Sequence, residues 1–127
     1  MNSVIALSED AIEHAKFLEK NNRDLPLQGL PILIKDNIEV QGLPATAGSL
    51  ALVNTPIQKD STIAQRLREA GAVIIGATNL SEWANIRSTK STSGWSAVGG
   101  LTANPWIHGH SAGGSSSGSG AAVAAGL

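Results

Sequence analysis

Leu30-Pro-Ile-Leu-Ile34 is an unbroken apolar run that ends abruptly on Lys35-Asp36-Asn37. A run this short, with its proline near the start, reads as a buried strand. A second run, Ala72 to Ile75, follows a helix-like stretch. Asp60 or Ser61 caps that helix, which continues through Ala70 and stops at Gly71. Upstream, Ser8 to Lys20 reads as an amphipathic helix with Ser8 as N-cap and Glu9 and Asp10 in the first turn, where the helix dipole favours acids. Its apolar stripe is Ala11, Ile12, Ala15 and Leu18, and Asn21 to Asp24 ends it. Asn79 or Ser81 opens a third short helix containing Glu82 and Trp83, and Gly120 to Leu127 reads as the start of a buried helix of small residues. Strand, helix, strand, helix is the pattern of an α/β sheet. Two strands do not make a stable sheet, so the pattern predicts that part of the domain lies outside these 127 residues.

Composition narrows the function. The chain has no cysteine, which excludes a disulfide scaffold, a thiolate zinc site and a cysteine nucleophile. The net charge is −1 and the basic residues are scattered, so no nucleic-acid partner is expected. No apolar run approaches the ~20 residues needed to cross a bilayer. Met1 to Lys20 mixes charged with apolar residues, unlike a signal peptide. The expectation is a cytoplasmic protein with no membrane partner and an unspecified oligomeric state.

Two segments could carry chemistry. A lysine at the end of a buried strand is desolvated, which lowers its pKa and suits it to act as a base near neutral pH. The alternative for Lys35 is a side chain that snorkels to water. Gly113-Gly-Ser-Ser-Ser-Gly-Ser-Gly120 supplies hydroxyls and a pliable backbone just ahead of a helix start. The same composition also suits a flexible linker, but the run leads into apolar Ala and Val residues. It is not a phosphate-binding P-loop, since no Gly-Lys-Ser/Thr follows. His108 and His110 flank Gly109 without an evident third ligand and read as surface-loop residues, so no metal is assigned. Asp36 and Glu82 are a conceivable carboxylate pair that nothing in the sequence ties together. Trp83, Trp95 and Trp106 read as packing anchors.

Three segments together resemble the amidase signature family. Gly29-Leu-Pro-Ile-Leu-Ile-Lys-Asp-Asn37 is similar to its strand and lysine motif. Asp60-Ser-Thr, with Leu-Arg-Glu-Ala-Gly-Ala-Val-Ile-Ile-Gly-Ala-Thr-Asn79, resembles the next helix, strand and Thr-Asn turn. Asn104-Pro-Trp, Gly113-Gly-Ser-Ser-Ser-Gly-Ser and Ala-Ala-Val-Ala-Ala-Gly-Leu127 resemble the Gly/Ser signature. Within the family, Thr78-Asn-Leu-Ser-Glu-Trp-Ala-Asn85 and Ser93-Gly-Trp-Ser-Ala-Val-Gly-Gly100 look most like peptide amidases.

The resemblance implies a mixed, twisted β-sheet flanked by helices and acyl transfer through a Ser-Ser-Lys triad. Lys35 matches the base, and Ser115 matches the bridging serine, whose peptide bond is typically cis. Ser93, Gly94, Trp95, Gly114 and Ser116 are the candidates for binding substrate, a small-molecule or peptide amide. No cofactor is implied. The family's nucleophile lies roughly two dozen residues beyond the bridging serine, in a turn that also supplies the oxyanion hole. Residues 1–127 end twelve residues after Ser115 and begin 34 residues before Lys35. The expectation is therefore a partial amidase domain that lacks the family's N-terminal helices and everything after the Gly/Ser signature, inactive by itself. Ser117-Gly-Ser-Gly120 departs from the Gly-Gly-Ser-Ala of many relatives. Ser116, Ser117 and Ser119 are not expected to replace the nucleophile, because no oxyanion donors are placed for them. A non-catalytic scaffold derived from an amidase and a Gly/Ser-loop anion binder are the alternatives.

Overall fold

The computed structural model describes residues 1–21 and 24–127. Its centre is a three-stranded mixed sheet in the order β1-β3-β2, with β1 at Val4–Leu7, β2 at Pro31–Lys35 and β3 at Val73–Thr78. β2 runs parallel to β3, with Lys35 opposite Thr78, and β1 pairs antiparallel to β3. Both apolar runs are thus strands, and the sheet is mixed. The two-strand expectation needs correcting. Val4-Ile-Ala-Leu7 is a third strand, which makes β3 the central one.

That strand also moves the first helix. Ser8 does not cap it, because the Ser8 amide donates to the Ile75 carbonyl and prolongs the β1–β3 pairing. The helix α1 starts later, at Ala11–Asn21. Leu18 is its buried residue, and half-buried Ala11, His14 and Ala15 complete the inward stripe. Ile12, expected in that stripe, is 69% exposed, and His14 takes the inward place. Of the terminating residues, Asn22 and Arg23 lie outside the described residues.

The helix α2, Thr62–Glu69, connects β2 to β3. Ser61 is its N-cap, accepting from the Ala64 amide, whereas Asp60 instead accepts from the Gln41 amide and from Arg68 Nε at 2.9 Å. Ala64 faces Ile34, Val40, Leu43 and Ile74 in the apolar core. The last helix, α3, spans Ser117–Ala124. It begins three residues earlier than expected, so half of the Gly/Ser run is helix rather than loop. Gly118 is required there by close approach. Its amide donates to the Asn79 carbonyl, and a Cβ would lie 2.6 Å from that oxygen.

Apolar exposure along the strands is uneven. Leu30 is half exposed, and Pro31, Ile32, Leu33 and Ile75 line a groove of about 330 Å³ with Ala122 and Val123 of α3. Ala72, Val73 and Ile74 are buried. No helix among the described residues is long and apolar enough to cross a membrane.

Candidate active site

The parallel pairing of β2 with β3 fixes where Lys35 ends. Lys35 is the last residue of β2, and the Asp36 amide continues the ladder to the Thr78 carbonyl at 3.1 Å. Directly after β3, the Asn79 carbonyl accepts the Gly118 amide and so seats the start of α3 beside the strand end. The Ser81 amide donates to the Ser115 carbonyl at 3.0 Å. These bonds bring together residues 80 positions apart, and Lys35 Nζ donates to Ser115 Oγ at 2.7 Å. The Gly114–Ser115 peptide bond is cis. Lys35 is partly buried, and its desolvation lowers its pKa below the ordinary lysine value. The Lys35 amine is thus turned to a hydroxyl.

The other candidates fall around this pair. The Gly94 amide donates to Ser81 Oγ at 2.8 Å, and Gly94 sits at φ +82°, where a side chain would be strained. Ser93 Oγ accepts from Asn85 Nδ2 at 3.4 Å, and its carbonyl accepts from Ser111 Oγ. Gly114 and Ser116 are exposed on either side of Ser115. Trp95 pairs with Leu101 between two short strands, Trp95–Ser96 (β4) and Gly100–Leu101 (β5). It also lines a cavity of about 340 Å³ with Glu82, Trp83, Asn85 and Arg87.

That cavity wall corrects the third predicted helix. Glu82–Asn85 is a single tight turn in which Trp83, Ala84 and Asn85 adopt φ of 51°, 54° and 68°. Three successive left-handed residues are rare outside glycine. They are held by the Trp83 amide on the Ala47 carbonyl at 2.8 Å and the Ala84 amide on the Ser81 carbonyl at 2.8 Å. Asp36 and Glu82, a conceivable carboxylate pair, have separate partners. Asp36 is fully buried and accepts from the Thr46 amide and hydroxyl, while Glu82 accepts from the Ala97 amide. Burial raises the Asp36 pKa, against the lowering effect of those hydrogen bonds. Trp106 is 79% exposed in a surface loop and Trp95 is 42% exposed on a two-residue strand, so neither is the packing anchor expected. His108 and His110 are exposed in the loop before Ser111.

Sequence reasoning missed the hub behind the site. Asn79 is fully buried, and its Nδ2 lies 3.1 Å from each of the Asn2 carbonyl, the Gly100 carbonyl and Thr102 Oγ1. Its Oδ1 accepts from the Leu80 amide and Ser96 Oγ. Its one local signal was a polar residue directly after a buried strand.

A serine–lysine pair thus stands at the end of a parallel strand, beside the Gly/Ser start of α3. The Amidase family profile matches residues 1–127, and the chain belongs to that family. A putative amidase of Arthroderma benhamiae is 44% identical over 133 residues, covering all of this chain and 22% of the relative. A glutamyl-tRNA(Gln) amidotransferase component from Methanococcoides burtonii is 44% identical over 126 residues, covering 99% of this chain and 26% of the relative. The solved peptide amidase of Stenotrophomonas maltophilia superposes with a TM-score of 0.93 at 50% identity, over 98% of this chain and 26% of that one. The chain thus spans about a quarter of the length of these relatives.

Proposed function

We propose that this chain carries the base and the proton-relaying serine of an amidase that hydrolyses small-molecule or peptide amides through a Ser-Ser-Lys triad. The observation that carries the reading is the contact between Lys35 Nζ and Ser115 Oγ at 2.7 Å. Neutral Lys35 draws the proton of Ser115, and Ser115 draws the proton of a nucleophilic serine attacking the amide carbonyl. On expulsion of ammonia or amine the same relay runs backwards, and water then hydrolyses the acyl-enzyme. Desolvation supports the neutral amine this requires. The reading assigns the nucleophile to no residue in 1–127, so the chain alone should not turn over amides. The reading assigns the acyl part of the substrate to the cavity of about 340 Å³ lined by Glu82, Trp83, Asn85, Arg87 and Trp95.

The test is a chimera in which this chain replaces the matching quarter of the Stenotrophomonas peptide amidase. Release of ammonia from a peptide amide is expected, with Lys35→Ala and Ser115→Ala each slowing it by about 10²–10⁴, the range for lost acid–base catalysis. Undiminished turnover by the Lys35→Ala chimera would sink the reading.

A further inference from the structure

Two stretches of chain form the sides of the cavity of about 340 Å³, one with Glu82, Trp83 and Asn85 and the other with Thr92 and Trp95. Three hydrogen bonds tie the stretches together. The Glu82 carboxylate accepts from the Ala97 amide at 3.0 Å, Asn85 Nδ2 donates to Ser93 Oγ at 3.4 Å, and the Gly94 amide donates to Ser81 Oγ at 2.8 Å. The last is the shortest, and both of its residues are buried.

Ser81 also differs from Glu82 and Asn85 in what its backbone holds. Fully buried just beyond β3, it donates its amide to the Ser115 carbonyl at 3.0 Å and accepts the Ala84 amide on its own carbonyl at 2.8 Å. The first bond holds the relay serine, and the second holds the left-handed turn of Trp83 to Asn85. The hydroxyl packs against Gly114. A Cβ on Gly114 would collide with Ser81 Oγ and would lie 3.3 Å from Ser93 Oγ and 3.4 Å from the Gly94 nitrogen. One buried residue thus reaches the relay serine, the turn and the opposite wall of the cavity, each through a different polar group.

Backbone and side chain divide this work. A change confined to the side chain leaves the Ser81 amide on Ser115, so the contact between Lys35 Nζ and Ser115 Oγ keeps its support. Loss of the hydroxyl takes the acceptor from the buried Gly94 amide, and an unpaired buried amide is costly. The wall that carries Trp95 is then released from the turn that carries Trp83.

We propose that the Ser81 hydroxyl is a positioning group for amide hydrolysis at this site: by holding the Gly94 amide it sets the width of the cavity for the acyl part of the substrate, in register with Ser115. This rests on the triad reading and its cavity, and adds a residue that acts on substrate binding rather than on proton transfer. Such an interaction serves bound substrate and transition state alike, so its loss raises KM and leaves kcat unchanged.

The experiment uses the chimera with the Stenotrophomonas peptide amidase and N-acetyl-alanyl-phenylalaninamide, with ammonia release followed against substrate concentration. Ser81→Ala should raise KM about 10-fold, on the scale of one buried hydrogen bond, with kcat and its pH profile unmoved. A purely structural role would instead lower the active fraction, and so kcat at constant KM. That result overturns the proposal, as does an unchanged KM. In the unsubstituted chimera the Gly94 amide should exchange with deuterium more slowly than that of exposed Thr92. Equal exchange at the two overturns the proposal even where Ser81→Ala misfolds. A chimera that depends on Lys35 but keeps its KM in Ser81→Ala removes the Ser81 role and leaves the triad standing. A chimera indifferent to Lys35→Ala whose KM rises in Ser81→Ala removes the triad and leaves Ser81 in its role in binding.

Discussion

The molecule has two interiors built on opposite principles. Under α2, Ile34, Val40, Leu43, Ala64 and Ile74 exclude water by apolar packing. At the other end of β3, Ser3, Asn79, Ser81, Ser96, Thr102 and Ser117 are equally buried, and directional hydrogen bonds hold them. An apolar interior tolerates small changes of shape, because dispersion and area are non-directional. A polar interior fixes positions to within a hydrogen bond's reach, and each lost partner leaves a buried group unsatisfied. The candidate site sits on the polar side, where tenths of an ångström decide whether Lys35 meets Ser115.

Substitutions can break or sharpen this contrast. Asn79→Leu should have the largest effect, because it fills the volume yet takes the acceptor from the Leu80 amide and the Ser96 hydroxyl and a donor from the Gly100 carbonyl. At about 1–3 kcal/mol for each buried group left unpaired, the loss should exceed ~3 kcal/mol and abolish a cooperative thermal transition. A melt unchanged from the parent chain would mean the polar interior is dispensable. Gly118→Ala comes next. Its methyl group would press on the Asn79 backbone, push α3 off β3 and cost roughly 1–3 kcal/mol, as overpacking does. It should also part Ser115 from Lys35, which ammonia release by the chimera reads separately from stability.

Ile74→Val, on the apolar side, should cost only about 0.5–1.5 kcal/mol by chemical denaturation and leave ammonia release by the chimera intact. Equal disturbance of the site by Ile74→Val and Gly118→Ala would erase the distinction between the two interiors. The smallest effects are in pH dependence. Asp36 is raised by burial above its ordinary 3.8, so between that value and its folded value the native chain holds a proton that the unfolded chain has lost. Stability therefore falls as pH rises through that window, and Asp36→Asn should flatten the fall. Lys35 is lowered below its ordinary 10.5, so stability rises with pH between its folded value and 10.5, and Lys35→Met should flatten that rise. Equilibrium unfolding across pH tests both signs.

Features visible in the sequence were those set by local chemistry. β2, β3 and α2 followed from short apolar runs, a serine cap and a glycine stop, because those signals act over a few residues. β1 also had an apolar run, Val4 to Leu7, but four residues carry little periodicity and its partner lies some seventy positions away. The turn at Trp83 to Asn85 reads locally as a helix, since nothing local forces a left-handed backbone there; the Ala47 and Ser81 carbonyls impose it from outside. Hydrophobicity alone makes Trp106 an anchor, but it says nothing of whether a loop faces inward.

For the site the division is the same. The sequence by itself determined the chemical inventory: a lysine at the end of an apolar strand, serines between glycines ahead of a helix, and no thiol. Resemblance then singled out Lys35 and Ser115. The tertiary structure alone decided that these two touch, that Ser117 and Ser119 turn away to threonines, and that Asn79 ties β1, β3, β5 and α3 into one frame. The physical reason is range. Propensity and desolvation act through neighbours in the chain, whereas a 2.7 Å contact across 80 residues exists only once the sheet register and the buried hydrogen bonds have placed both ends.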